Sequence, residues 1–282
     1  KHPLRCSANV LHRPVESANH DGETHSVLAN LKTYWRCDAR YFLPAVLVFM
    51  LAMALPPFPL FEDRASSMLQ LHLVLELFAV IVAILIVAVS WHDLKHQSRP
   101  ESGVLLAGFI VVAFVDLVHA LTYDGMPRLV TDSSTPRAIF FWLAGRTVVL
   151  LTLLLVVLRL RLLLSRYVWL GIAALACAAL FWLGTWGMDW VPTTFVSGSG
   201  VTTFKRNYEY GLFLGYGVLA LLFVYRAEAD NRQRSFAFAS SCLIMAMGEI
   251  EFSNYKTPSD FLNIFGHVFK IVSYAFLYQN VF

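Results

Sequence analysis

Residues 75–91 read LELFAVIVAILIVAVSW, a run of mostly aliphatic side chains in which Glu76 is the one charged residue. Comparable runs recur at residues 146–158 (RTVVLLTLLLVVL) and 167–186 (YVWLGIAALACAALFWLGTW). Each approaches the ~20 apolar residues that cross a bilayer core as a helix. Lipid offers no hydrogen-bond partner to an unpaired backbone group, so only a helix can carry such a run through the membrane. These runs therefore predict transmembrane helices.

The composition of the whole chain agrees with this prediction. The 282 residues are 57% hydrophobic and 15% charged, whereas a soluble domain carries about 45–50% apolar and about 25% charged residues. The net charge of +3 is too small to indicate a nucleic-acid partner. The cysteines form no C-x-x-C pair, which argues against a disulfide framework or a zinc ribbon. No P-loop, dinucleotide fingerprint or nucleophile–base motif occurs, so the sequence supplies no catalytic motif.

The pattern predicts an all-α, polytopic membrane bundle of about eight transmembrane helices. The predicted spans cover residues 41–55, 71–91, 103–121, 138–158, 167–183, 208–225, 236–250 and 261–282. The first span ends at a proline-rich stretch that cannot continue a helix. The seventh is short and rich in small residues, which favours close packing between helices.

The positive charges of the connecting segments predict the orientation of the bundle. Membrane proteins keep the loops richer in lysine and arginine on the cytoplasmic side. One side carries Lys32, Arg36, Arg40, Lys95, Arg99, Arg159, Arg161, Arg166, Arg226, Arg232 and Arg234. The other side carries Arg64, Arg128, Arg137, Lys205, Arg206 and Lys256. We therefore expect both termini in the cytoplasm.

The same pattern predicts the domain organisation. Residues 1–40 are expected to form a polar cytoplasmic N-terminal segment, and residues 41–282 a transmembrane sensor domain. The last span reaches the final residue without a helix stop signal. We expect this helix to continue into a cytoplasmic output domain.

Ionisable side chains inside the predicted spans are the candidate functional residues. Each costs about 2.5–3.5 kcal/mol at the bilayer centre, so such residues tend to be retained for function. The candidates are His72, Glu76, Asp116, His119, Arg146, Glu249, His267 and Lys270. The alternating direction of the spans puts all of them in the outer half of the bilayer. Those on spans two, three and eight are three or four residues apart, so each pair shares one helix face. We expect a single polar cluster.

Two interpretations of this cluster use its charges. In the first, it is a buried network that fixes helix packing, with Glu76 or Asp116 paired to Arg146, and Glu249 paired to Lys270. In the second, every candidate except His72 lines a ligand pocket that faces the periplasm or the outer leaflet. Arg146 and Lys270 would then meet an anionic head group.

A third interpretation uses the imidazoles. His72, His119 and His267 lie on three different predicted helices at similar depth. Neutral imidazoles suit iron, copper or zinc, and two histidines on facing helices are enough to hold haem b. The sequence therefore leaves open a transition-metal or haem site, although no fixed ligand spacing supports either.

Three strings of the sequence resemble a known family. They are HALTYDGMP at residues 119–127, STPRAIFFWLAGRTV at 134–148, and GHVFKIVSYAFLYQNVF at 266–282. They are similar to the third class of bacterial membrane-associated sensor (MASE) domains, and the resemblance extends over residues 41–282. The resemblance implies that His119, Arg146, His267 and Lys270 are site residues. Asp124 stands where the family pattern has a basic residue, so the charge preference of a ligand is not carried over.

The resemblance implies a multi-pass sensor domain of the bacterial inner membrane. Such a domain precedes a diguanylate cyclase (GGDEF), which makes cyclic di-GMP, or a histidine kinase. The resemblance implies as partners the lipid bilayer, its own output module and a second copy. The alternative function is a transporter or proton-coupled carrier, since intramembrane charges also line transport paths. That function favours polar residues through the full membrane depth or inverted repeats, and this sequence has neither pattern.

Overall fold

The computed structural model describes residues 30–35, 39–56, 58, 65–96, 99, 101–160, 162, 164–228, 231–254 and 260–281. These segments contain eight long helices: α1 (Ala39–Ala54), α2 (Ala65–Lys95), α3 (Ser102–Leu121), α4 (Thr135–Val157), α5 (Arg166–Trp186), α6 (Thr203–Tyr225), α7 (Arg232–Asn254) and α8 (Phe261–Val281). A 3₁₀ turn (Met188–Trp190) and a hairpin of β1 (Phe195–Val196) and β2 (Gly200–Val201) connect α5 to α6.

The predicted polytopic helix bundle is confirmed. Helices α2 to α8 supply seven segments long and apolar enough to cross a membrane. Helix α1 has 16 residues, which span about 24 Å at 1.5 Å per residue, less than the ~30 Å of a bilayer core. It ends at Ala54, just before the proline-rich stretch that begins at Pro56.

Several observed helices extend beyond the predicted spans, and two of these extensions contain buried charged residues. Helix α6 begins at Thr203 and not at residue 208, and α7 continues to Asn254 and not to residue 250. The hydroxyl of Thr202 accepts a hydrogen bond from the backbone N–H of Lys205 at 3.3 Å, which caps the first turn of α6. Lys205, predicted to lie in a loop, is buried in this helix.

Six helices form a closed ring in the order α2, α3, α4, α6, α7 and α8, with α8 returning to α2. Helix α5 packs outside the ring against α3 and α4, and α1 packs against α7. In the most apolar window of each helix, 72% of the α7 residues are buried but only 22% of the α5 residues. The close packing predicted for the seventh span is confirmed. The ring interior is therefore where ionisable side chains can avoid lipid.

The ring has two ends that differ in what they carry. The end where α3 finishes and α4, α6 and α8 begin holds the ionisable candidates, and we call it the cluster end. At the opposite end, residues 30–35 form a short helical segment on the bundle. The side-chain amide of Asn30 donates to the carbonyl of Ala227 at 2.9 Å, and Tyr34 bonds Ser240 at 2.9 Å. Residues 1–29 and 36–38 of the predicted N-terminal segment lie outside the described residues.

Candidate functional site

A lysine on α8 joins two carboxylates at the centre of the ring. The ammonium group of Lys270 donates to Oε2 of Glu76 at 2.7 Å and lies 3.0 Å from Oδ1 of Asp116. All three side chains are at most 3% exposed. A buried charge is costly unless it is paired and hydrogen-bonded, so this contact ties α8 to both α2 and α3.

Asp116 connects the lysine to an arginine on α4. The guanidinium of Arg146 donates to the hydroxyl of Tyr274 and lies 3.7 Å from Oδ2 of Asp116. The Tyr274 hydroxyl in turn donates to the same carboxylate oxygen at 3.3 Å. Tyr216 on α6 donates to the backbone carbonyl of Arg146 at 2.7 Å, and Trp142 lies 4.8 Å from the guanidinium. Of the two carboxylates considered as partners of Arg146, Asp116 lies beside it.

The three predicted membrane histidines meet on the other side of Glu76. Nε2 of His72 lies 3.2 Å from Nε2 of His119. Nε2 of His267 lies 3.1 Å from Oε1 of Glu76, and Nε2 of His119 lies 4.0 Å from the same oxygen. One potential ligand atom from each of the four residues falls within 4.8 Å of all the others.

Backbone carbonyls orient two of these imidazoles. Nδ1 of His119 bonds the carbonyl of Ala138 at 2.7 Å, and Nδ1 of His267 bonds the carbonyl of Asn263 at 2.6 Å. A carbonyl oxygen only accepts, so each Nδ1 carries the proton, and in a neutral imidazole the lone pair is then on Nε2. Both Nε2 atoms point toward Glu76, whose carboxylate is also an acceptor. The site therefore directs several lone pairs at one small volume.

A small pocket of about 30 Å³ adjoins the imidazoles. Its lining comes from the ends of helices at the cluster end: His72, His119, Tyr123, Thr135, Ala138, Ile139, Trp142, Lys205, Glu209, Phe252, Asn263 and His267. Tyr123 stacks on His72 with ring centroids 4.0 Å apart. Burial raises the pKa of Tyr123, so its phenol stays protonated at neutral pH. A cavity of this size holds a water molecule or an ion.

Residues 64–282 match the MASE3 family, which is described as a membrane-associated sensor domain. This chain belongs to that family. The match contains α2 to α8, and therefore every helix of the ring, whereas α1 lies before it. No curated protein and no solved structure matches the chain.

In this MASE3 domain, the structure brings together seven of the eight predicted site residues. We call these seven together with Tyr274 the central cluster: His72, Glu76, Asp116, His119, Arg146, His267, Lys270 and Tyr274. Tyr274 was missed because a tyrosine in an apolar helix resembles a packing or interface residue. Its place seven residues after His267, on the same face of α8, is the signal that would have identified it.

Glu249 is the exception, and its predicted pairing with Lys270 is wrong. Lys270 faces α2 and α3, so its near partners are Glu76 and Asp116. Glu249 is a buried side chain of α7.

Sequence reasoning also missed a buried ion pair on α6. The ammonium group of Lys205 lies 2.6 Å from Oε1 of Glu209 and donates to the carbonyl of Phe252 at 2.5 Å. Both charged side chains are at most 1% exposed and line the cavity beside the imidazoles. Their spacing of four residues after a capping threonine is the signal that predicts a helical pair. Glu251 on α7 is a further buried carboxylate that the predicted span excluded.

The arrangement of the histidines leaves no room for a haem. A bis-histidine haem needs a porphyrin ring between its two imidazoles. His72 and His119 are in direct contact at 3.2 Å, and the neighbouring cavity measures only about 30 Å³. These residues therefore do not fit haem b, whereas the four converging ligand atoms fit a single ion.

Proposed function

We propose that this MASE3 domain detects a chemical signal at the central cluster and transmits it through α8 to a C-terminal cytoplasmic output module. The observation that carries this proposal is the contribution of α8 to every part of the cluster. His267 contacts Glu76, Lys270 contacts Glu76 and Asp116, and Tyr274 contacts Asp116 and Arg146. A change in any of these contacts alters the forces on one helix.

The proposed mechanism is a shift between two packing arrangements of the ring. A ligand moves such an equilibrium only by binding one arrangement more tightly than the other. His267, Lys270 and Tyr274 share one face of α8, and their partners lie on α2, α3 and α4. An occupant that draws Glu76 toward the imidazoles weakens the contact between Glu76 and Lys270, and α8 moves relative to α2 and α3.

Contacts at the opposite end support transmission along α8. The guanidinium of Arg99, in the connection between α2 and α3, donates to the carbonyl of Val281 at the end of α8 and forms an ion pair with Asp93 at 3.3 Å. Helices α2, α3 and α8 are thus joined at both ends. A displacement that begins at the central cluster has a route to the last turn of α8.

The remaining parts of the proposal concern placement and output. The loops at the opposite end contain more lysine and arginine than those at the cluster end. This difference supports placing the opposite end on the cytoplasmic side of a bacterial inner membrane. The likeness of the closing helix to the helix that precedes GGDEF and histidine kinase modules supports a diguanylate cyclase that makes cyclic di-GMP, or a kinase, as the output. Pairing of two copies fits such an output, and we propose a homodimer.

The interior of the ring gives less support to a transporter. Beyond the central cluster, toward the opposite end, large apolar side chains such as Leu105, Phe109 and Leu153 are at most 1% exposed. Within the described segments, no buried charged side chain lies in that half. A transport path lined by intramembrane charges needs such groups throughout its length.

The test compares buried and exposed histidines in the full-length protein. We expect His119→Ala and His267→Ala to change the output activity in native membranes by about fivefold or more, the lower range of allosteric coupling. His92→Ala is the matched control, because His92 is an exposed histidine near the opposite end of α2. If both buried variants insert normally and keep wild-type output, the sensing site is elsewhere.

A further inference from the structure

We propose that His72, Glu76, His119 and His267 bind a divalent transition-metal ion. This inference rests on the proposed sensor function and deepens it by naming the class of ligand. The first support is the direction of the lone pairs. Nε2 of His267 faces Oε1 of Glu76 at 3.1 Å. Both atoms are acceptors when the imidazole is neutral and Nδ1 carries its proton, so a cation between them stabilises the arrangement.

The distances between ligand atoms are the second support. Ligands at about 2.0–2.1 Å from a tetrahedral zinc ion lie about 3.3 Å from one another. The separations here are 3.1 Å between His267 and Glu76, 3.2 Å between His72 and His119, and 4.0 Å between His119 and Glu76. All pairs of the four ligand atoms lie within 4.8 Å of each other, so side-chain shifts of up to about 1.5 Å bring them to the tetrahedral spacing.

The groups behind the ligands are arranged as in protein metal sites. Ligating imidazoles usually donate their other N–H to a carbonyl or carboxylate, and ligating carboxylates are themselves hydrogen-bonded. His119 and His267 donate from Nδ1 to the carbonyls of Ala138 and Asn263. Lys270 holds Oε2 of Glu76 at 2.7 Å, which leaves Oε1 for the ion.

The charges of the central cluster disfavour an anionic ligand. The cluster pairs two buried carboxylates, Glu76 and Asp116, with two buried cations, Arg146 and Lys270. Arg146 and Lys270 already lie beside carboxylates, so an anionic ligand would have to compete for both.

The chemistry of the donors selects the class of ion. Imidazoles suit zinc, copper, iron and nickel, whereas magnesium and calcium prefer sites built from oxygen atoms alone. No thiolate takes part in this four-residue set, which disfavours copper(I). A small pocket of about 30 Å³ lies beside the ligands at the cluster end, and it gives an ion or its displaced water a place next to the site.

Cobalt(II) is the probe for the first test. Full-length protein without a histidine tag is stripped with a chelator, titrated with cobalt, and followed by metal content and by the visible bands of tetrahedral cobalt. We expect about one ion per chain with a tetrahedral spectrum, and a loss of affinity of about 10-fold or more in His267→Ala and His72→Ala. His92→Ala and His96→Ala, which change exposed histidines, should bind as the wild type does. Cobalt binding that His267→Ala and His72→Ala leave unchanged overturns the proposal.

X-ray absorption at the cobalt edge tests the wild-type protein without relying on a folded variant. We expect a four-coordinate shell of nitrogen and oxygen with three imidazoles. A six-coordinate shell made mainly of oxygen overturns the site.

The failure of this inference is distinguishable from failure of the sensor function. If cobalt binds at these ligands but the output activity is the same with and without it, the metal site is supported and the ion is excluded as the signal. If the wild type binds no ion while His119→Ala and His267→Ala still change the output activity, the proposed sensor function is supported and the metal site is excluded.

Discussion

The two halves of the ring interior are built by the same helices but are held together in different ways. Toward the opposite end, Leu105 and Phe109 on α3 pack with Leu153 on α4 in one apolar core. Toward the cluster end, Glu76 and Lys270 meet through charge and hydrogen bonds. Apolar side chains can exchange a helix neighbour for a lipid chain at little cost, because lipid is equally apolar. Charged side chains cannot, so the central cluster sets the rotation of the helices and the apolar half fills the space.

The largest effect is expected from Lys270→Met. Methionine keeps most of the side-chain volume but leaves Glu76 and Asp116 without their shared cation. Removing one partner of a buried ion pair costs about 3–5 kcal/mol. Unfolding titrations in mixed micelles should show this loss. Lys95→Met, at an exposed position, is the control, and equal stability of the two variants would contradict a central role for Lys270.

A somewhat smaller effect is expected from Leu153→Ala in the apolar half. Leu153 is fully buried, so its truncation leaves a cavity that costs about 3 kcal/mol. The same unfolding titration measures this loss of stability. We expect the fraction of protein that remains folded to keep most of its output activity. Leu175→Ala on α5 is the matched control, because Leu175 is 73% exposed and faces outward from the bundle. A loss at Leu175 as large as at Leu153 would mean that the outward face of α5 has packing partners of its own.

Tyr274→Phe removes one hydroxyl from the central cluster and little volume. Arg146 then loses its hydrogen-bond acceptor and Asp116 loses a donor. A buried polar group without a partner costs about 1–3 kcal/mol, and we expect about 2 kcal/mol in the unfolding titration. Tyr225→Phe changes a half-exposed tyrosine and should be neutral. A neutral Tyr274→Phe would show that Arg146 is satisfied without the hydroxyl.

The smallest effect on stability is expected from Arg99→Ala. Arg99 is partly exposed, and exposed ion pairs contribute about 0–1 kcal/mol. Its contact with the end of α8 nevertheless predicts a change in the output of the full-length protein. Arg128→Ala, which removes a more exposed arginine at the cluster end, is the comparison in the same assay. Unchanged output in Arg99→Ala would show that the α2–α3 connection takes no part in transmitting the signal.

The sequence predicted the helices well because hydropathy alone determines which segments can cross a bilayer. It predicted seven members of the central cluster for a related reason, since a charge inside an apolar run is easily recognised. The same rule failed at Lys205 and Glu251. Charged residues near the end of an apolar run look like loop residues until a buried neighbour is known.

The pairing inside the cluster could not be predicted. Lys270 was assigned to Glu249, but it contacts Glu76 and Asp116. Which face of α8 meets which neighbour depends on the order of helices around the ring, and α8 closes that ring against α2. Spacing along one helix carries no information about this order.

A double-mutant cycle between Glu76→Gln and Lys270→Met tests the central claim most directly, because the two residues are 194 positions apart in sequence. If the two side chains form one buried pair, each single variant is destabilised and the double variant recovers part of the loss, with a coupling energy of about 1–3 kcal/mol. Losses that add to within about 0.5 kcal/mol would contradict the meeting of α2 and α8 at this site.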